Sequence, residues 1–160
     1  MARIVLLDSG PLGLVSGSPR KPAVTQYQAW LLSLELSGAD IVVPEIADYE
    51  VRRELVRAGA SAGLRRLDQL QRRFLYLPIT TGAMRRACDF WALLRNAGVP
   101  TSGPQDLDAG AILAGQAVAA AGPFDVLTIA TTNLRHLSRF PGIDAKNCLA
   151  LASWRARTGV

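Results

Sequence analysis

The sequence is poor in the residues that build disulfide frameworks and zinc sites. It has two cysteines and one histidine among 160 residues. Cys88 and Cys148 show neither a pairing pattern nor metal-ligand spacing, and His136 lies far from both thiols in the chain. We therefore expect two reduced, partly buried thiols in a reducing compartment, which predicts a cytoplasmic location.

Long apolar runs and phosphate-binding loops are also missing. The N-terminal apolar residues reach Asp8 too soon to form a secretory signal. Residues 109–130 are apolar, but Gln116, the Gly122-Pro123 pair and Asp125 interrupt them. This pattern predicts a buried helix followed by a buried strand, without a membrane partner. Neither Gly-x-Gly-x-x-Gly nor Gly-x-x-x-x-Gly-Lys occurs, which disfavours a nucleotide-binding α/β protein.

The overall composition is that of a globular protein with a basic surface. Apolar residues make up 49% and charged residues 19%, and the length predicts a single domain over residues 1–160. The net charge is +5, and all basic residues except Lys21 and Lys146 are arginines. Arginine pairs at 65–66, 72–73 and 85–86 could be a solvated face, a track for RNA or a dock for an acidic protein segment.

Hydrophobic spacing and turn residues predict strands alternating with helices. Continuous apolar runs indicate strands at residues 4–7, 40–44, 74–78 and 126–130. Helical spacing with end signals indicates helices at residues 23–36, 45–57, 62–74, 81–96 and 108–121. Glycines and prolines after Asp8 predict a loose connection, and the last third reads as loop-rich, with a short strand or turn at 148–151. The pattern predicts an α/β fold with a parallel sheet covered on both faces.

Oxygen-bearing side chains follow several of these strands. Asp8 ends the first strand, Glu50 lies on the helix after the second, Asp106 and Asp108 begin the Ala-rich helix, and Asn133 follows the strand at 126–130. In parallel sheets, functional groups gather beyond the carboxyl ends of the strands. Clustered oxygens suit Mg²⁺ or Mn²⁺. Each residue also has a purely structural interpretation, as a turn residue, a helix cap or a surface charge.

Four segments, in order, resemble the motifs of the PIN-domain family, and most closely those of VapC-like toxins. They are residues 6–12 (LLDSGPL), 49–53 (YEVRR), 112–117 (ILAGQA) and 129–137 (IATTNLRHL). The resemblance implies a PIN-like three-layer fold, with a parallel sheet of about four or five strands flanked by helices. It also implies an Mg²⁺- or Mn²⁺-dependent endoribonuclease, the toxin of a toxin–antitoxin pair, whose partners are an RNA substrate and a cognate antitoxin, with a possible homodimer.

Carried onto this chain, the resemblance makes Asp8, Glu50 and Asp108 the metal ligands and adds Asn133 to the catalytic set. Arg135 would hold RNA phosphates. His136 is interpreted as a packing or loop-fixing residue, with acid–base chemistry as the alternative.

The chain departs from the family pattern at Gly110, where an Asp is expected. Either Asp108 or Asp106 serves as the third ligand instead, or the metal site is weakened and activity is impaired. The alternative function is therefore a catalytically impaired PIN-like module that binds RNA or an antitoxin.

Overall fold

A parallel sheet forms the centre of the molecule. The computed structural model describes residues 3–98, 104–123 and 125–148. Within these residues, five strands pair in the order β3-β2-β1-β4-β5, and every pairing is parallel. Their bounds are β1 Arg3–Leu7, β2 Asp40–Pro44, β3 Leu75–Leu77, β4 Val126–Thr131 and β5 Ala145–Asn147. The expected parallel sheet between helices is confirmed.

Helices connect successive strands and cover both faces of the sheet. Their bounds are α1 Ser9–Val15, α2 Pro22–Leu36, α3 Glu45–Arg57, α4 Ser61–Arg73, α5 Thr81–Asn96, α6 Pro104–Ala120 and α7 Leu134–Leu137. Thr80 caps α5, because its side chain accepts a hydrogen bond from the backbone N–H of Ala83. No helix in the described ranges is both long and apolar enough to span a bilayer.

Alternation along the strands divides the core into two layers. Val5 and Leu7 face the layer that contains Trp30 of α2, whereas Leu6 between them faces the layer that contains Leu113 of α6. Gln116, buried in the second layer, explains the polar interruption in the Ala-rich helix. Its side chain accepts from the backbone N–H of Ile46 at 3.3 Å and donates to the carbonyl oxygen of Leu77 at 2.8 Å. These bonds fix α6 against the ends of β2 and β3.

The structure differs from the sequence-based expectations in three segments. Residues 9–15, expected to be a loose connection, form α1, because Asp8 caps a helix that begins at the next residue. Helix α6 begins at Pro104, upstream of the predicted start. The loop-rich last third contains α7 and the short strand β5. Of the element expected at 148–151, residues 149–151 lie outside the described part of the chain, as does the side chain of Asp106.

Candidate active site

The carboxyl ends of β1 and β4 meet at the centre of the sheet. These neighbouring strands pair in register from Arg3 and Val126 to Leu7 and Ala130. The chain leaves β1 toward β2 on one side, and β4 lies on the other side. This is the type of position at which open α/β sheets bind ligands. Asp8 follows β1 directly, and its backbone N–H continues the ladder by donating to Ala130 O at 3.0 Å.

Two hydrogen bonds hold the Asp8 carboxylate in a fixed orientation. Oδ1 accepts from the backbone N–H of Ser9 at 2.8 Å, which caps α1. Oδ2 accepts from the hydroxyl of Thr131 at 2.7 Å. The turn-capping interpretation of Asp8 is therefore correct as a description of one oxygen. A carboxylate has about four acceptor positions, so both oxygens keep capacity for a further ligand.

Thr131, the last residue of β4, joins the two strand ends. Its side chain is fully buried, and its hydroxyl donates to Asp8 and accepts from the backbone N–H of Asn133 at 2.8 Å. The hydroxyl thus fixes both the carboxylate and the start of the turn into α7. Sequence reasoning missed this residue, although its place at the carboxyl end of a central strand was a usable signal.

An acidic cavity of about 310 Å³ opens over these strand ends. Its side chains include Asp8, Glu50, Asn133 and His136, and Gly110 lies in its wall. Glu50 reaches it from α3, which begins directly after β2. Three of the four predicted catalytic residues, Asp8, Glu50 and Asn133, therefore lie around one cavity.

Asp108, the fourth predicted residue, lies elsewhere on α6. It is exposed and lines a mainly apolar cavity of about 550 Å³ with Met84, Cys88 and Trp91 of α5. Gly110, two residues further along the helix, faces the acidic cavity instead. An offset of two residues turns a helix position by about 200°. The structure therefore does not bring Asp108 to the cavity that contains Asp8 and Glu50.

A second depression continues from the acidic cavity, and its three basic side chains outnumber its two acidic ones, Glu50 and Glu54. This basic groove, about 590 Å³ in volume, runs between α1, α3 and α4 and is lined by Lys21, Arg53 and Arg66. It shares Glu50 and residues 9–10 with the acidic cavity. Arg66 is held in place because its Nε donates to the carbonyl oxygen of Ser16 at 2.8 Å.

The arginine pairs noted in the sequence do not form one continuous track. Arg66 lines the basic groove, whereas Arg73 is paired with Glu35 of α2. Arg85 and Arg86 are exposed on α5, a helix that does not line the groove. Arg135 is exposed on α7, beside the residues of the acidic cavity. The cations that do share one groove, Lys21, Arg53 and Arg66, are far apart in the sequence and are brought together by the fold.

A buried thiol beside the strand ends is held in its neutral form. Cys148 is fully buried next to the strand ends, and its thiol donates to the carbonyl oxygen of Thr131 at 3.3 Å. Burial, with a smaller contribution from the negative charge of Asp8, raises the pKa of Cys148 to about 11. The expectation of a reduced thiol agrees with this site, since a neutral buried thiol is a poor nucleophile. Cys88 is also a free thiol and is exposed, so the expectation that both thiols are partly buried is wrong.

The acidic cavity has the chemistry of a divalent-cation site with few protein ligands. Asp8 and Glu50 provide carboxylates, and Asn133 provides an amide oxygen. Among the residues with a described position, no three acidic, histidine or cysteine side chains form a metal-binding cluster. Mg²⁺ commonly uses only one or two carboxylates and completes its shell with water and substrate phosphates. The donor set therefore fits a cation that is bound together with a phosphate.

Solved structures share this fold at low sequence identity. No known family profile matches the sequence, and no curated protein matches it. A chain of the crystal structure of VapBC2 from Rickettsia felis, bound to a DNA fragment from their promoter, aligns with a TM-score of 0.64 at 14% identity, over 90% of this chain and 98% of that chain. DNA-bound VapBC from Salmonella typhimurium aligns at 0.61 and 21%, over 92% of this chain and 99% of that one.

A third alignment, with VapBC-1 from nontypeable Haemophilus influenzae, gives a TM-score of 0.62 at 14% identity, over 91% and 98% of the two chains. All three alignments span nearly the full length of both aligned chains. The chain therefore has the PIN-like fold of these VapBC structures, which confirms the fold implied by its four sequence motifs.

Proposed function

We propose that this protein is a divalent-metal-dependent endoribonuclease that acts as the toxin of a toxin–antitoxin pair. The observation that carries the proposal is the meeting of Asp8 and Glu50 in one cavity at the carboxyl edge of the central strands. Asn133 lies in the same cavity and is the third member of the proposed catalytic set. The likeness of fold to solved VapBC structures supports the proposal.

The proposed cofactor is Mg²⁺ or Mn²⁺, held by Asp8 and Glu50 with help from Asn133. Such a cation supplies a route to an activated water and offsets charge that develops on the phosphate. The Thr131 hydroxyl and the Ser9 N–H orient the Asp8 carboxylate before the ligand arrives. Preorganised ligands of this kind lose little conformational freedom on binding.

The proposed substrate is RNA, whose phosphates would follow the basic groove into the acidic cavity. Lys21, Arg53 and Arg66 line the groove, and Glu50 belongs to both depressions. A strand that enters along these cations would therefore place a phosphate beside the carboxylates. Arg135, exposed on α7 next to His136 of the acidic cavity, is proposed to hold a flanking phosphate.

The decisive experiment is cleavage of pooled RNA oligonucleotides with Mg²⁺, Mn²⁺ or a chelator. We expect metal-dependent cleavage by the native protein. Asp8→Asn and Glu50→Gln should each lower the cleavage rate by more than the roughly 10–100-fold that is typical of residues that only support a metal ligand. Asp40→Asn, at the opposite end of β2 and exposed, is the control and should retain activity. Native protein that is inactive with every metal would refute the nuclease proposal.

Asp108→Ala tests whether Asp108 serves as the third ligand. Its position in the apolar cavity, away from Asp8 and Glu50, predicts nearly unchanged cleavage and metal affinity. A large loss in either measurement would instead show that α6 rearranges when metal and RNA bind. Calorimetric titration with Mn²⁺ separates a loss of metal from a loss of substrate.

A second candidate function is a catalytically impaired PIN-like module that binds RNA or an antitoxin. It is favoured by Gly110, which brings no carboxylate to the acidic cavity. The two candidates differ in metal dependence, since binding through Lys21, Arg53 and Arg66 requires no cation. RNA binding that survives a chelator, without cleavage in any metal, would support the module.

The proposed protein partner is a cognate antitoxin. The structural neighbours are VapBC structures, which motivates the proposal. Co-expression with the product of the adjacent open reading frame should yield a complex that co-purifies and suppresses RNA cleavage. Light scattering of the free protein would test the proposed homodimer. A protein that never binds the adjacent product would count against the toxin role, while leaving the nuclease role open.

A further inference from the structure

Gly110 is an unexpected residue at its position in α6. It is buried in the interior of the helix, where glycine is the least favourable residue after proline. Such a residue usually marks a place where another group must approach the backbone closely. The surroundings of Gly110 show which group that is.

The imidazole of His136 occupies the space that a side chain at position 110 would need. A Cβ built on Gly110 would lie 2.5 Å from Nε2 of His136, and 3.2 Å from Cδ2 of the same ring and from Cε2 of Phe140. Real Cβ atoms are not found as close as 2.5 Å to another heavy atom, so any side chain at this position would displace the ring. Gly110 therefore admits His136, which reaches across from α7.

His136 is held against this wall of the acidic cavity by its neighbours. Its ring packs edge-on against Phe140, with 6.0 Å between centroids and 85° between planes. Its backbone N–H donates to Asn133 O at 3.2 Å, within the turn that starts α7. The α6 residues that line the cavity, Ala109 and Gly110, carry no polar side chain. The imidazole thus provides a polar group beside a wall that would otherwise be apolar.

We propose that His136 is a substrate-contacting residue, which donates a hydrogen bond to a nonbridging oxygen of the RNA phosphate in the acidic cavity. The inference rests on the proposed ribonuclease function. Asp8 and Glu50 line the same cavity, and their charges alone would repel a phosphate. A hydrogen-bond donor in the cavity wall, the imidazole of His136, offsets part of that repulsion and orients the phosphate.

Gly110 and His136 can be tested as a coupled pair by a double-mutant cycle. His136→Ala should lower kcat/KM by roughly 10–100-fold, the usual effect of losing a hydrogen bond to a charged group. Gly110→Ala should cause a similar loss, because its Cβ displaces the ring, although the melting temperature should stay the same or rise. The double variant should be no less active than either single variant, since the same contact is lost only once.

Two further variants separate substrate contact from a packing role. His136→Gln keeps a side-chain N–H donor and should recover part of the activity. Leu134→Ala, exposed on the same helix, should have no effect. Full activity in His136→Ala or in Gly110→Ala would overturn the proposal, as would losses that multiply in the double variant.

RNA-binding anisotropy distinguishes failure of this inference from failure of the nuclease function. With the same oligonucleotides and saturating Mn²⁺, His136→Ala should weaken binding by roughly the same factor as the loss expected in kcat/KM. A native protein without cleavage would refute the nuclease function, while the His136 contact would still be decided by this binding measurement. An unchanged Kd for His136→Ala would then overturn it.

Discussion

Replacing Thr131 by valine is the sharpest test of how the candidate site is built. Valine has the same branched shape as threonine and suits a strand, so the change exchanges only a hydroxyl for a methyl group. Two hydrogen bonds disappear: the one donated to Asp8 Oδ2 at 2.7 Å and the one accepted from the N–H of Asn133 at 2.8 Å. The side chain is fully buried, so water cannot take the place of the hydroxyl itself.

The expected loss of stability follows mainly from the bond to the carboxylate. A hydrogen bond to a charged group contributes about 1.5–3 kcal/mol. Asn133 is exposed, so bulk water can solvate its N–H from outside once the hydroxyl is gone. The loss of this second bond therefore adds little to the loss of stability. We therefore expect Thr131→Val to lose about 2 kcal/mol of unfolding free energy. For a chain of this length the loss corresponds to roughly 4–8 °C in melting temperature.

The functional effect should be larger than the loss of stability alone implies. Without the hydroxyl, the Asp8 carboxylate keeps only its bond to the Ser9 N–H and can rotate. Residues that orient a ligand typically contribute 10–100-fold, so we expect roughly that decrease in Mn²⁺ affinity and RNA cleavage at a temperature where the variant is folded.

Thr128 on the same strand provides a matched control. It is also buried, and its hydroxyl donates to a carboxylate, Asp144 Oδ2, at 2.8 Å. Asp144 is half exposed and lies away from the acidic cavity. Thr128→Val should therefore cost somewhat less stability and leave cleavage unchanged. Equal cleavage by the two variants, once both are folded, would refute the role assigned to Thr131.

Three further predictions concern other parts of the molecule. Gly115→Ala should destabilise the fold in thermal melts, because its Cβ would collide with a backbone carbonyl of α5, whereas Gly82→Ala, with only an ordinary contact at 3.8 Å, should be neutral or slightly stabilising. Burial raises the pKa of Cys148 from about 9 to about 11. Between these values the thiol ionises in the unfolded chain but not in the folded one, so the unfolding free energy should fall by about 1.4 kcal/mol per pH unit from pH 9 to about pH 11. Cys148→Ala should flatten this loss in denaturant titrations, and an equally steep loss in the variant would contradict the prediction. Arg53→Ala should weaken RNA binding and reduce its salt dependence by roughly 0.7–0.9 in log–log slope, whereas Arg57→Ala, outside the groove, should not.

Most of the fold could be predicted because local signals and tertiary packing agree. The strand at Asp40–Pro44 and the helix at Glu45–Arg57 match the sequence-based bounds, since an apolar run ends at a proline and a helical pattern follows at once. Segment α1 was missed because glycine and proline at positions 10, 11 and 13 are turn signals in isolation. In the folded chain, the Asp8 cap and the buried side chains of Leu12 and Val15 outweigh them.

The candidate site was predicted in part, for a reason that lies in the geometry of strands and helices. A residue at the carboxyl end of a parallel strand has a place determined by topology, so Asp8 and Asn133 could be brought together from sequence. A helical residue also needs the rotation of its helix about the axis, which sequence fixes poorly when apolar residues surround it. Helix α6 has only a weak separation of polar and apolar faces, so its rotation could not be predicted from composition, and only the family resemblance distinguished Gly110 from Asp108.

The structural and functional interpretations of Asp8 do not exclude each other. Capping α1 uses one acceptor position of Oδ1, and the bond from Thr131 uses one position of Oδ2. Each oxygen then retains about one position, enough for a cation or for water around it. The same two bonds also prevent the carboxylate from turning away from the cavity. A residue that only capped a helix would not require the buried hydroxyl from a second strand, so the Thr131 contact is the feature that favours a functional role for Asp8.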